Sequence, residues 1–341
     1  MGGGMLVESL RGGIVESVHR VSVAVVDAGG RLRATAGDPD FVTFLRSAAK
    51  PFQALPLVED GAADRFAVTD EELSLACASH NSEPAQVDAI RAFLTRIGLT
   101  ESDLACRPHR PLSAELAMSD ARYPTSENAR GTSATAPETS RLASNCSGKH
   151  TAMLALALHH GWPTRGYHEP THPVQRRCKQ VVARWTALPE SGIPEAVDGC
   201  GVVTFALPLR SLALAYARLT ASDQAAPRRV VQVMMTRPDL VAGQGRPCTA
   251  LMRAYPGRVL AKVGAEGVYG AALPHQRLGV GLKVEDGHTW AAVAALWAVL
   301  EQLGLEPPPR VTEPLFAEVP VRNTRQEAVG SLRASGKLTF V

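Results

Sequence analysis

The chain has 341 residues, 45% hydrophobic and 20% charged, with a formal net charge of +3. That is enough apolar material for a large buried core, and too little excess charge for a nucleic-acid surface. Aromatic residues make up 5%, no basic stripe interleaves with them, the N-terminus lacks an apolar signal segment, and the longest apolar run, 291–300, is too short to span a bilayer. The expectation is a cytoplasmic protein with neither a nucleic-acid nor a membrane partner.

Taken in chain order, residues 16–36 read as a β-hairpin. Ser17 to Val26 alternates and is β-branched, Gly29-Gly30 supplies the turn, and Arg31 to Thr35 returns. Residues 70–235 read as mostly helical. Asp70-Glu71-Glu72 is an acidic helix start, Ala85 to Ile97 carries a helical period, and His150 to His160 is a helix ended by Gly161-Trp162-Pro163. Residues 107–140, rich in Pro, Ser, Thr and Ala, suggest a long irregular crossing. Strand character returns at Val259 to Val263, Val268 to Leu273 and Leu278 to Val284. A buried helix follows from Trp290 to Leu303, halted by Pro307-Pro308-Pro309. This order implies one compact α+β unit: an antiparallel sheet built from both chain ends (about 6–45 and 255–341), a mostly helical middle (about 46–254), and helices on the sheet faces.

Only six of the 36 basic residues are lysines. Arginine keeps its proton in a protein, whereas a desolvated lysine can become a neutral amine that accepts a proton or binds metal. Three lysines stand in suggestive contexts. Lys50 closes a Ser47-x-x-Lys50 pattern with Pro51 in the first helical turn, where positions i and i+3 share a face and the amine can reach the Ser47 hydroxyl. An ordinary serine cap followed by a solvated lysine explains the same residues. Lys149 lies in Asn145-Cys146-Ser147-Gly148-Lys149-His150, at the start of an apolar helix whose dipole favours a thiolate at Cys146. With Cys200 in the turn Asp198-Gly199-Cys200-Gly201, it would give a zinc site of two sulfurs and an amine; a structural Cys-Gly turn is the alternative. Lys262 sits in the strand Val259–Gly264, either snorkelling or functional.

Ser79-His80-Asn81-Ser82-Glu83 is a polar cluster following an apolar run, either an active-site wall or a helix-capping loop. The six cysteines (Cys77, Cys106, Cys146, Cys178, Cys200 and Cys248) form no CxxC pair, so no disulfide framework is signalled.

Together and in order, these segments resemble the thermolabile, Rhizobium-type L-asparaginase family (asparaginase II). The resemblance covers nearly the whole chain. It is carried by Leu6–Ser9, Val15–Arg20, Arg46–Gln53, Ala78–Glu83, Asn145–His150, His172–Gln175, Asp198–Gly201 and Lys262–Gly267. It implies a serine β-lactamase-like or glutaminase-like fold, an α-β-α sandwich, usually as a homodimer. The implied activity is hydrolysis of the side-chain amide of L-asparagine to L-aspartate and ammonia. The resemblance also implies two Ser–Lys pairs, Ser47 with Lys50 and Ser79 with Lys262, and places Arg46, His80 and Cys248 near the substrate. It implies zinc on Cys146, Lys149 and Cys200, with Asp198 holding a metal-bound water. Ser47 is the preferred nucleophile, because Lys50 is local to it. The alternative readings are a glutaminase or another acyl-serine amidohydrolase on the same fold, and a zinc-stabilised binding protein without turnover.

Overall fold

The computed structural model describes residues 4–112, 139–306, 308, 318–325 and 327–341. The alternating, β-branched stretch near the N-terminus forms a 14-residue strand, β2 (Ile14–Asp27). Its first half pairs antiparallel with β1 (Met5–Arg11), and its second half with β3 (Leu32–Ala36), reached through the turn at Gly29-Gly30. After β4 (Val42–Phe44), a 3₁₀ turn (Arg46–Ala49) leads into α1 (Lys50–Glu59), with Pro51 in its first turn.

The middle of the chain is mainly helical. It contains α2 (Ala62–Arg65), α3 (Asp70–Ala76), α4 (Pro84–Arg96), α5 (Ser147–His160) and α6 (Pro173–Thr186). The acidic start at 70–72 is held by a capping box, in which Thr69 accepts from the Glu72 amide and Glu72 accepts from the Thr69 amide. His172 caps α6 by accepting from the Val174 amide. A departure from all-helix follows: β5 (Glu195–Val197) and β6 (Val203–Pro208) join β4 in a three-stranded sheet ordered β4-β6-β5. Then come α7 (Leu209–Ala221), α8 (Ala225–Thr236), α9 (Pro238–Val241) and α10 (Pro247–Ala254). The irregular crossing expected over 107–140 lies largely outside the described residues, as do Pro307 and Pro309. At its two ends, His109 and Ser140 form an antiparallel bridge.

Strands β7 (Leu260–Gly264), β8 (Val268–Leu273) and β9 (Leu278–Val284) form a meander. Beyond it lie α11 (Thr289–Gln302), β10 (Glu318–Arg322), β11 (Ala328–Ser335) and β12 (Thr339–Phe340). The main sheet runs β10-β11-β1-β2-β9-β8-β7, with β3 pairing both β2 and β12, all antiparallel. Both ends of the chain therefore supply it.

Successive residues of β2 face opposite sides of the sheet. Ala24 and Val26 pack with Leu209 and Ala213 of α7, whereas Val21, Val23 and Val25 belong to the larger core. Helix α7 lies on β2, β8 and β9, and α11 on β11, β9 and β1. The fold is α+β, an antiparallel sheet with helices on its faces, as the order of elements implies. Among the described residues no helix is long and apolar enough to cross a membrane.

Candidate active site

Three separate parts of the chain converge on Ser79. Helix α3 ends at Cys77, and the chain continues as the polar segment 79–83, laid beside residues 241–246: the Ser79 amide donates to Val241 O at 2.9 Å. Lys50 reaches the segment from α1 and Lys262 reaches it from β7. Lys50 Nζ lies 2.5 Å from Ala78 O, 3.0 Å from Ser79 Oγ and 3.4 Å from Asn145 O. Lys262 Nζ lies 2.8 Å from Ser79 Oγ and 2.9 Å from Val263 O. Both lysines are buried, at 0% and 1% exposure, and Ser79 is 6% exposed.

Hydrogen-bond counting assigns the two amines different states. Lys50 faces three acceptors, which matches the three N–H groups of an ammonium. Lys262 faces one carbonyl and one hydroxyl. A neutral amine satisfies both by donating to Val263 O and accepting the Ser79 O–H. Burial and the adjacent Lys50 charge push Lys262 down to about 7, with Arg246 adding to the effect. The Cys77 thiol beneath them is pushed up to about 12 by burial, against the pull of both lysines, so it is neutral.

The local pair expected from the Ser-x-x-Lys pattern is not joined in this way. Ser47 is half-buried on the 3₁₀ turn, and among the described residues its hydroxyl makes no hydrogen bond to Lys50. The reason is the burial of Lys50. A fully desolvated ammonium turns to the inward carbonyls and hydroxyl rather than to a half-exposed neighbour on its own turn.

The second cluster begins one residue after Asn145, whose carbonyl Lys50 contacts. Cys146 Sγ donates to Asn145 Oδ1 at 2.9 Å, and Lys149 Nζ lies 3.2 Å from Cys200 Sγ. The neighbouring Cys146 thiol, as the larger cause, and Lys149 hold the Cys200 thiol down to about 4 against burial, and Cys146 itself is raised to about 12. Burial pulls Lys149 down, but Cys200, Cys146 and Asp198 outweigh it and hold it above its ordinary value. Lys149 and Cys200 thus favour each other's charged forms. Glycine at 148 permits this placement: a Cβ there would stand 2.3 Å from Leu75 O, so α5 starts directly against the backbone of α3.

Asp198 accepts from Arg46 at 2.6 Å, and Arg46 lies 4.0 Å from Glu266. Burial opposes the ionised Asp198, but Lys149 and Arg46 prevail and lower it. Arg46 adopts φ 49°, a left-handed conformation uncommon for a non-glycine residue. Among the described residues no three His, Cys, Asp or Glu side chains are grouped to hold a metal. An ion here would rest on two sulfurs and, once deprotonated, the lysine amine, a donor set whose softness suits zinc.

His80 is fully buried. Its Nδ1 accepts from the Ser82 amide and its Nε2 lies 2.9 Å from Ser147 Oγ, so neither nitrogen is left for a substrate. Burial first, then Lys50 and Arg246, push it down to about 3, and it is neutral. Cys248 is buried with Sγ 4.0 Å from the Tyr269 hydroxyl. Sequence reasoning misses two residues that meet at the segment 79–83, Asn81 and Arg246. In the sequence Asn81 reads only as part of a polar run, and Arg246 is one arginine among thirty with nothing local to mark it.

A family model described as L-asparaginase II matches residues 7–334. Three solved structures illustrate what the chain is similar to. Mglu in its native form is 17% identical with a TM-score of 0.43, over 84% of this chain and 65% of Mglu, so the chain spans about two thirds of that protein's length. Mglu in its L-glutamate binding form is 19% identical with a TM-score of 0.37, over 84% and 60% of the two chains. A β-lactamase (Mb2281c) from Mycobacterium bovis is 14% identical with a TM-score of 0.33, over 81% and 94%. Comparison with curated proteins finds no match.

Proposed function

The chain belongs to the L-asparaginase II family and is an amide hydrolase, and from that premise we propose that it converts L-asparagine to L-aspartate and ammonia with Ser79 as the nucleophile. The observation that carries this reading is one buried hydroxyl held between two lysine amines, 3.0 and 2.8 Å away.

Lys262, as the neutral amine, takes the Ser79 proton while Oγ attacks the amide carbon. Lys50, as the ammonium, stabilises the hydroxyl oxygen as it loses that proton. The tetrahedral adduct collapses with cleavage of the C–N bond, and the proton on Lys262 passes to the departing nitrogen, releasing ammonia. Water then attacks the ester, giving up a proton to Lys262. The carboxylate product leaves and Ser79 regains its proton. The amides of Ser79 and His80 already donate to Val241 O and Asn145 O, so oxyanion stabilisation falls to the nearby cations. Lys50, 3.0 Å from Ser79 Oγ, is the cation that touches the nucleophile.

Zinc is part of the same proposal. Cys146, Lys149 and Cys200 would hold it, with Asp198 alongside, and when bound it supplies a fixed positive charge beside the Asn145–Cys146 step. Replacement of Cys200 by Ala should abolish stoichiometric zinc uptake, measured as metal content after dialysis. The family resemblance adds a homodimer in the cytoplasm to the proposal.

The test is ammonia release from L-asparagine and L-glutamine, side by side, followed by mass spectrometry of acid-quenched enzyme. The proposal expects asparagine to be preferred, and a transient acyl group on the peptide bearing Ser79. No ammonia from L-asparagine would sink it.

A further inference from the structure

The lysine pair accounts for attack on an amide but does not distinguish an amino-acid amide from any other. In L-asparagine the α-carboxylate sits only a methylene and the α-carbon away from the reacting amide. A closed site must meet that charge with a cation lacking an acid partner of its own. We propose that Arg246 is this cation, the specificity-determining residue that receives the α-carboxylate, with Asn81 clamping it in place. The inference rests on reading Ser79 as the nucleophile and goes beyond it by naming what selects the substrate class.

Of the cations named so far, Arg246 has donors to spare. Arg46 is engaged by Asp198 at 2.6 Å and approached by Glu266. Lys149 is paired with Cys200. The contacts of Lys50 and Lys262 are taken by Ser79 and by backbone carbonyls. His80 is neutral, with both ring nitrogens engaged. Arg246 is half-buried, and among the described residues it makes no ion pair. Its one side-chain hydrogen bond runs from Nη1 to Asn81 Oδ1 at 3.0 Å. The remaining donors of the planar fork match a carboxylate.

The surrounding loop holds that fork against the segment 79–83, which carries Ser79. Residues 241–246 run along 79–83. The Ser79 amide bonds to Val241 O, Asn81 Nδ2 donates to Gln244 O at 3.0 Å and to Glu83 Oε1 at 3.1 Å, and the Gln244 amide donates to the same Glu83 oxygen at 2.7 Å. Gly243 has φ +120°, and a Cβ there would stand 2.3 Å from Asn81 Nδ2. Only glycine lets this loop lie flat against the Asn81 amide. Asn81, two residues from the nucleophile, therefore ties the guanidinium to the segment that carries the chemistry. Arg246 is close enough for its charge to be felt at both Lys262 and His80.

The experiment compares wild type, Arg246→Gln, Arg246→Lys and Asn81→Ala. Ammonia release is measured from L-asparagine and from β-alaninamide, which is asparagine with its α-carboxylate replaced by hydrogen, and L-aspartate binding is measured by calorimetry. Wild type should favour L-asparagine. Arg246→Gln should raise KM for L-asparagine about 100-fold and weaken L-aspartate equally, while kcat/KM for β-alaninamide, measured on the high-pH plateau of both proteins, stays within about twofold. Arg246→Lys should recover part of the loss, and Asn81→Ala should show a smaller version of it. An equal loss on both amides would make Arg246 merely structural and overturn the proposal, as would an unchanged KM for L-asparagine. A wild type that binds L-aspartate but releases no ammonia from L-asparagine would defeat the asparaginase reading. The anchor would still stand if Arg246→Gln abolished that binding.

Discussion

Two amines share one hydroxyl at Ser79, and their repulsion is what makes the arrangement useful. With Lys50 satisfied as an ammonium, Lys262 is left with burial and a neighbouring charge that both disfavour its proton, and its value falls to about 7. Because the neutral form is the base, kcat/KM should fall as pH drops below about 7 and level off above it. Arg246→Gln removes a cation from the surroundings of Lys262, so in that variant the limb should move to higher pH; a pH–rate profile on both proteins checks this. Lys262→Arg puts a permanent cation where the neutral base stands, and Lys50→Arg keeps the charge but not the compact amine that meets three acceptors; each should lose activity by about 10³-fold or more. Lys179, paired with Glu195, and Lys337 are the controls, and Arg there should be silent. The scarcity of lysine in an arginine-rich chain made Lys50, Lys149 and Lys262 legible as candidates. Their partners were less so. Spacing pairs Lys50 with Ser47, whereas the hydrogen bonds of a buried amine are chosen by tertiary packing, which brings in Ala78, Ser79 and Asn145 from far along the chain.

Helix α5 positions the second cluster, and its approach to α3 depends on Gly148. Gly148→Ala would drive a methyl group into Leu75 O and shift the turn carrying Cys146 and Lys149. The expected cost is about 1–3 kcal/mol, read from the denaturant midpoint, together with weaker zinc uptake. Elements with strong periodicity were legible. The β2–β3 hairpin, α5, α11 and the meander β7–β9 fall within a few residues of their sequence positions. The β4-β6-β5 sheet was not. Strands β4 and β5 have three residues each, too few for alternation to stand out, and β6 is buried without interruption from Val203 to Leu207. The 241–246 loop was equally hidden, because its role depends on lying against Asn81.

At the scale of the whole molecule, residues from the two ends of the chain close the sheet: β11 pairs with β1 over six residues, from Leu6 opposite Ser335 to Arg11 opposite Gly330. Leu332 of β11 is 2% exposed in the main core. Leu332→Ala should lower global stability by about 2–5 kcal/mol, seen as a lower Tm, with KM for substrate unchanged at ambient temperature. Strands at both ends and a helical middle were enough to read this architecture from the sequence. The same folding brings together a hydroxyl from residue 79 and amines from residues 50 and 262, and the catalytic proposal depends on that convergence. The most direct measurement is therefore kcat for ammonia release from saturating L-asparagine by wild type, Ser79→Ala and Ser47→Ala. The account predicts a loss of about 10³-fold or more for Ser79→Ala and less than about tenfold for Ser47→Ala. Wild-type turnover by Ser79→Ala, with the loss falling on Ser47→Ala instead, would contradict it.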